Sequence, residues 1–392
     1  MGKYDFNKII DRSNTSCWKW DLRNNENELP MWIADMDLPT APCVVEALKR
    51  RVNHPIYGYT YPSDKWYQAW INFYKERHNF NIEKDWLIFS TGVIPTISST
   101  IRKLTTPNEG IVVLTPIYNT FFNSIINNGR RPIESKLIYK DGTYSIDWKD
   151  LEDKLSDNQT MMLIFCNPHN PIGKIWSKEE IVRIGELCKK YNVLVISDEI
   201  HCELTAPNKS YTPFASVNSI NKEISITAVA PSKAFNMAGL NSSAIIVPNP
   251  YLKAKVERQL NTDECAEPNV FACDVAIAAL NEGRDYLDEL RIHIQNNREL
   301  VEKFIKEKIP EIEVTKQDST YLLWLNISKI SNDSDDFTSF IRKETGLWLA
   351  SGSIYRGDGK SFVRMNVACP TSLVEDGLNR LLKGVTLYKN KQ

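Results

Sequence analysis

No stretch of this 392-residue sequence stays apolar for the roughly 18 residues that a membrane span requires. The first residues, Met1-Gly2-Lys3-Tyr4-Asp5-Phe6, lack the apolar core of a signal peptide. These two absences lead to the expectation of a cytoplasmic protein with no membrane partner. Charge of one sign is missing as well: 48 Lys plus Arg stand against 49 Asp plus Glu, a net charge of −1, and no basic block could track a phosphate backbone. Nucleic acid is therefore not an expected partner. The eight cysteines are scattered, with no C-x-x-C pair and no short Cys/His cluster, which argues against a zinc module and for reduced, mostly buried thiols. His201-Cys202 is the one adjacent pair of soft ligands, too few for a metal, so none is expected. Internal repeats and low-complexity linkers are also lacking.

What is present is a hydrophobic content of 42% in a chain long enough for two domains. Residues 1–40 read as an extended arm whose large apolar groups must pack on something. Thr40-Ala41-Pro42 predicts a helix start with Thr40 as its cap. A loop rich in tyrosine, Tyr57 to Pro62, follows, and then an amphipathic helix over about 65–77. From there strand, loop and helix repeat. Trp86-Leu87-Ile88-Phe89 runs into Ser90-Thr91-Gly92-Val93-Ile94, and Ile111-Val112-Val113-Leu114 into Thr115-Pro116-Ile117-Tyr118. Met161 to Phe165 runs into Cys166-Asn167-Pro168-His169-Asn170-Pro171. Ser177-Lys178-Glu179-Glu180 is a capping box for the next helix, and Val193 to Ile196 ends at Ser197-Asp198.

Continuous β-branched strands alternating with amphipathic helices predict an α/β fold with a mainly parallel sheet, in which ligands sit beyond the carboxyl ends of the strands. After about residue 285 a long charged helix and short strands predict a smaller α+β domain. The expected division is a large domain over 41–285, with 1–40 and 286–392 forming the arm and the small domain.

Each motif just quoted falls at a strand end, and a further strand, Ile224 to Ala228, runs into Ala230-Pro231-Ser232-Lys233-Ala234-Phe235-Asn236. A pyridine aldehyde cofactor needs a lysine for its aldehyde, a carboxylate beside its ring nitrogen and backbone amides at a helix start for its phosphate. Lys233, Asp198 and Gly92-Val93-Ile94 supply these, Tyr118 could stack on the ring, and Asn170 could bond its phenolic oxygen. Each residue has a plainer explanation: Asp198 as a strand-end cap, Gly92 as a turn glycine, Tyr118 as a packed loop aromatic, His201 as a structural histidine, Arg364 as the partner of an acid. Their joint appearance at successive strand ends is what those explanations do not supply.

These residues resemble the fold-type I pyridoxal-phosphate enzymes of the class I/II aminotransferase family, and within it the cystathionine β-lyase branch of MalY- and PatB-type C-S lyases. The resemblance covers nearly the whole chain. Its specific pieces are Trp32-Ile33-Ala34-Asp35-Met36-Asp37, Cys166 to Gly173, Ser197-Asp198-Glu199-Ile200-His201-Cys202, Ala230 to Leu240, and Arg364 to Pro370. It implies a large domain with a seven-stranded sheet and pyridoxal 5'-phosphate as the cofactor. It also implies that Lys233 both carries the cofactor and moves the substrate α-proton, that Asp198 pairs with the ring nitrogen, and that Asn170 contacts the ring oxygen.

By the same resemblance Arg364 grips the substrate α-carboxylate, with Trp32 and Asn170 as further substrate-binding residues, and His201 takes the place where many aminotransferases have tyrosine. Tyr59 looks like the tyrosine that such homodimers lend to the neighbour's phosphate. Two positions depart from the wider family: Asn241 stands where an arginine often binds phosphate, and Ala230 replaces a serine, so phosphate binding falls to Ser232 and the amides near Gly92. The implied reaction is α,β-elimination of L-cystathionine and related sulfur amino acids to a thiol (homocysteine), pyruvate and ammonia. The alternatives are a class I/II aminotransferase and a regulatory binding protein that retains the fold.

Overall fold

The computed structural model describes residues 2–391. Seven strands form its large sheet: β1 (Leu87–Ser90), β2 (Gly110–Thr115), β3 (Arg131–Lys136), β4 (Thr160–Cys166), β5 (Leu194–Asp198), β6 (Ser225–Val229) and β7 (Ser243–Ile246). They lie in the order β1-β7-β6-β5-β4-β2-β3. Only β7 runs against its neighbours; the ladders among β2 to β6 are parallel.

The continuous apolar strands are explained by burial on both faces, because successive side chains point to opposite sides. Val112, Leu114, Leu163, Phe165 and Val195 pack with Ile181 and Ile184. The intervening Ile111, Val113, Met162, Ile164 and Ile196 pack with Ile97 and Ile101 on the other side.

The helices follow their signals closely, with one exception. The helix over Asp64–His78 buries Trp66, Trp70, Phe73 and Tyr74. In Lys178–Lys190 the capping box forms: Ser177 Oγ accepts from the Glu180 amide at 3.1 Å, and the Glu180 carboxylate accepts from the Ser177 amide at 2.8 Å. The exception is Thr40. The helix Pro42–Val52 is capped by Ala41 with Pro42 at its first position, while the Thr40 hydroxyl donates to the Phe235 carbonyl at 2.6 Å. A tertiary acceptor has taken the hydroxyl that the local pattern assigned to the helix end.

Beyond the long helix Arg284–Lys308 lies an antiparallel sheet of β8 (Glu313–Val314), β9 (Leu322–Asn326), β10 (Ala350–Ser351) and β11 (Phe362–Asn366), in the order β8-β9-β11-β10. The N-terminal arm joins this side of the molecule, because Leu29–Pro30 pairs in parallel with Leu347–Trp348. Leu29, Met31, Met36 and Leu38 share one buried core with Trp66 and Phe73 and with Val374, Leu378 and Leu381 of the last helix, Thr371–Lys391. Each such side chain is worth about 1.5–3 kcal/mol when fully buried, so the arm is anchored firmly. Gly377 permits the contact: a Cβ there would stand 2.6 Å from Met31 Sδ.

Candidate active site at the carboxyl edge of the sheet

Register brings the site together. Cys166 lies opposite Asp198 in the β4–β5 ladder, and Asp198 opposite Ala228 in the β5–β6 ladder. The loops that follow these three positions therefore leave the sheet side by side, and they enclose a cavity of about 270 Å³. Its walls include Asn170, Asp198, His201, Ser232 and Lys233 from those loops, Tyr118 from beyond β2, and Gly92, Val93 and Ile94 from beyond β1.

The helix Val93–Leu104 begins at this wall with no side-chain cap and no acidic residue in its first turn. Its leading amides are thus placed to bind an anion in the cavity. The lysine loop is fixed by Phe235 N–H to the Pro231 carbonyl (2.9 Å) and Met237 N–H to the Ser232 carbonyl (3.0 Å). Asn236, at φ +50°, stitches this loop to the arm: it accepts from the Met36 amide at 3.1 Å and donates to the carbonyls of Met36 and Leu38 at 3.0 and 2.8 Å.

Burial dominates the electrostatics. Asp198 is pushed up to about 7 by loss of solvent, opposed by the Ile200 amide that donates to Oδ1 and by the positive charge of Lys233. Lys233 is pushed down to about 8, again chiefly by burial, with Asp35 and Asp198 working to raise it and Arg364 to lower it. His201 falls to about 3 through burial and the nearby Lys233 and Arg364, so it is neutral, and its Nδ1 is buried without a partner. A lysine near 8 can exchange a proton close to neutral pH, and a buried carboxylate short of counter-charge favours a cationic partner.

Arg364, on β11, reaches across from the smaller sheet. Its Nη1 donates to Asn170 Oδ1 at 3.1 Å and its Nη2 to the Trp32 carbonyl at 3.0 Å, while its Nε is buried with no partner. Trp32 meets the arginine through this carbonyl; its ring stacks on Trp348 with centroids 4.7 Å apart. Neither residue lines the cavity itself. Tyr59 is not brought to the site of its own chain at all: it is fully exposed, beside Tyr61 and Glu267.

Several residues at the site are given no role by the sequence, although Ala34 and Glu199 fall within its specific motifs. Lys233 Nζ rests on the Ala34 carbonyl at 2.6 Å, which also accepts from the Tyr321 hydroxyl at 2.9 Å. Glu199, buried and pushed up to about 8, accepts from the Ser197 hydroxyl and the Phe214 amide and so braces the loop after Asp198. Asn241, conspicuous in the sequence only as a departure, lines the cavity with Ser242. His78, Cys202 and Glu203 also converge, but His78 and Arg77 already share the Glu203 carboxylate at 2.5 and 3.4 Å, which makes the cluster an ion-pair tether for this loop.

The aminotransferase class I and II family model matches residues 28–381. Cystathionine beta-lyase PatB of Bacillus subtilis is 38% identical, with 96% of this chain and 98% of that protein covered. Protein MalY of Escherichia coli is 30% identical, with 97% and 99% covered. Among solved structures, cystalysin from Treponema denticola, which contains a pyridoxal 5'-phosphate cofactor, superposes with a TM-score of 0.95 at 32% identity, with 98% of this chain and 99% of that one covered. By the extent of the family match and by the similarity to PatB and MalY along nearly the whole length of each chain, this chain belongs to the aminotransferase class I and II family.

Proposed function

We propose that this protein is a pyridoxal-phosphate-dependent carbon-sulfur lyase that eliminates a thiol from L-cystathionine and related sulfur amino acids, giving homocysteine, pyruvate and ammonia. The observation that carries the reading is a lysine near 8 and a buried carboxylate in one cavity, in a chain 38% identical to a cystathionine β-lyase along nearly its whole length.

The residues present suit the cofactor. An uncapped helix start suits its phosphate, the undercompensated Asp198 its ring nitrogen, and Lys233 its aldehyde. Bound there, pyridoxal phosphate supplies an aldehyde that captures amines and a protonated ring that accepts electrons. The Val93 and Ile94 amides with Ser232 would hold the phosphate end, Tyr118 would pack against the ring, and Asn170 would serve the ring oxygen while its Oδ1 orients Arg364. His201, being neutral, adds no charge beside Lys233. Arg364 binds the substrate α-carboxylate with the donors it aims from β11, beside Trp32. Lys233, as the free amine, removes the α-proton; the electron pair left on Cα becomes the Cα–Cβ double bond as the Cβ–S bond breaks, the sulfur leaves as a thiolate that takes up a proton, and water hydrolyses the remaining three-carbon enamine to pyruvate and ammonia.

We further infer a homodimer in which Tyr59 serves the neighbouring copy, since it stands exposed with Ile56, Tyr57 and Tyr61 and away from its own cavity. The division into 41–285 and the joined segments 1–40 and 286–392 is likewise our reading, supported by where the two sheets fall along the chain. Eight free cysteines fit a reducing cytoplasm, and the homocysteine product fits methionine biosynthesis. The test is incubation of the purified holoenzyme with cystathionine alone. Pyruvate and free thiol should form in equal amounts; a strict need for a keto-acid acceptor would establish an aminotransferase instead.

A further inference from the structure

The segment 32–37 is held far more tightly than a connecting arm needs. Arg364 Nη2 binds the Trp32 carbonyl, and Asn366 Nδ2 donates to the carbonyls of Ile33 and Asp35, each at 2.7 Å. Lys19 Nζ reaches the Asp35 carbonyl at 3.1 Å, and Arg12 Nη1 and Asn236 Nδ2 take that of Met36. The Ala34 carbonyl is left for Tyr321 and Lys233.

The side chains of the segment are fixed as well. Arg12 spans two carboxylates, Asp35 at 2.5 Å and Asp37 at 2.6 Å, and Asp37 also binds the wholly buried Lys19 at 2.7 Å. Asp37 is thereby saturated. Asp35 is not: Arg12 engages Oδ2, and Oδ1 is buried with no partner. A buried carboxylate oxygen without a donor carries a desolvation cost, so its retention beside the resting place of an amine calls for a use.

We propose that Asp35, held by Arg12, is a positioning residue for the Lys233 amine, and that with the Ala34 carbonyl and the Tyr321 hydroxyl it forms the dock where that amine rests when it is not bonded to the cofactor. The charged groups facing Lys233 come from three elements: Asp35 from the arm, Asp198 from the end of β5 and Arg364 from β11. Asp35 is the strongest of the three and favours the ammonium, and its field also falls on Tyr321. The dock thus offsets the burial that would otherwise keep the amine uncharged, and it lets Lys233 hold the α-proton after removing it.

The inference rests on Lys233 as the base of the proposed elimination, but its test does not need turnover. In the full-length protein stripped of cofactor, the pH dependence of Lys233 acylation would be followed by peptide mass spectrometry. Asp35→Asn should lower the midpoint by about one pH unit, because a carboxylate that stabilised the ammonium is gone. Asp35→Glu, which keeps the charge, should stay nearer the unsubstituted protein and provides a second variant if the amide folds poorly. In the holoenzyme Asp35→Asn should reduce kcat with little change in KM. An unmoved midpoint in a variant of normal thermal stability overturns the proposal. A Lys233→Ala protein that keeps its cofactor colour would instead refute the assignment of the lysine, leaving the measured midpoint shift intact.

Discussion

Arg364 offers the sharpest test of the substrate end of the site, and Arg364→Lys is the substitution to make. The guanidinium makes two hydrogen bonds, to Asn170 Oδ1 at 3.1 Å and to the Trp32 carbonyl at 3.0 Å, and has one unused buried donor, Nε. A lysine keeps the charge but loses the planar fork, and its ammonium cannot satisfy Asn170, Trp32 and a carboxylate from one point. Losing one charge-assisted hydrogen bond to the substrate costs about 1.5–3 kcal/mol, and stranding Asn170 Oδ1 or the Trp32 carbonyl costs about 1–3 kcal/mol more.

Together about 2.5–6 kcal/mol is expected, a fall in kcat/KM of about a hundredfold to about ten-thousandfold, since each 1.36 kcal/mol is tenfold. The assay is pyruvate release from cystathionine, run beside a substrate analogue that lacks the α-carboxylate. If Arg364 grips that group, the analogue should react poorly with the unsubstituted enzyme and be harmed little further by Arg364→Lys, which is the signature of a coupled pair. A drop of less than about tenfold on cystathionine, or an equal drop on the analogue, would refute the role.

Three further outcomes are expected. Lys233→Ala should remove the visible absorbance of the purified protein, and a colour that survives in a lysine-bound form would show that another lysine holds the cofactor. Asp198→Asn should lower turnover by about a thousandfold if, as proposed, this carboxylate keeps the cofactor ring protonated, and near-normal turnover would refute that role. In the cofactor-free protein it should act oppositely on stability. The folded Asp198 carboxyl is raised to about 7, so the fold binds its proton more tightly than the unfolded chain and loses stability as pH climbs from the ordinary carboxylate range to about 7. The amide should therefore raise Tm at about pH 8 and leave it unchanged at about pH 4, with thermal melts as the measurement. Ser177→Ala removes the arm in which Ser177 Oγ accepts from the Glu180 amide, leaving the backbone amide of residue 177 to the Glu180 carboxylate, and should cost about 1 kcal/mol in urea unfolding; an unchanged midpoint would show that arm to be idle.

Local chemistry made much of this molecule legible. The apolar runs of β2, β4 and β5 have no polar alternation, which already means burial on both faces. The capping box at Ser177 forms as written because both partners lie within four residues. Lys233, Asp198 and Asn170 were visible for a related reason: each stands at or just beyond the carboxyl end of a strand, and in a parallel sheet those ends share one edge. Thr40 shows the limit, since its hydroxyl found a tertiary acceptor in Phe235 that no neighbouring residue announces.

By itself, then, the sequence determined the alternating elements, the edge at which chemistry gathers and the residue types delivered there. Only the tertiary structure decided which distant groups attend Lys233. The Ala34 carbonyl lies 199 residues away along the chain, Tyr321 approaches from the other sheet, and Arg12 fixes Asp35 from the arm. Hydrogen bonds of this reach are set by how the arm packs across the core and by strand register, and neither is encoded within any window short enough to read as a motif.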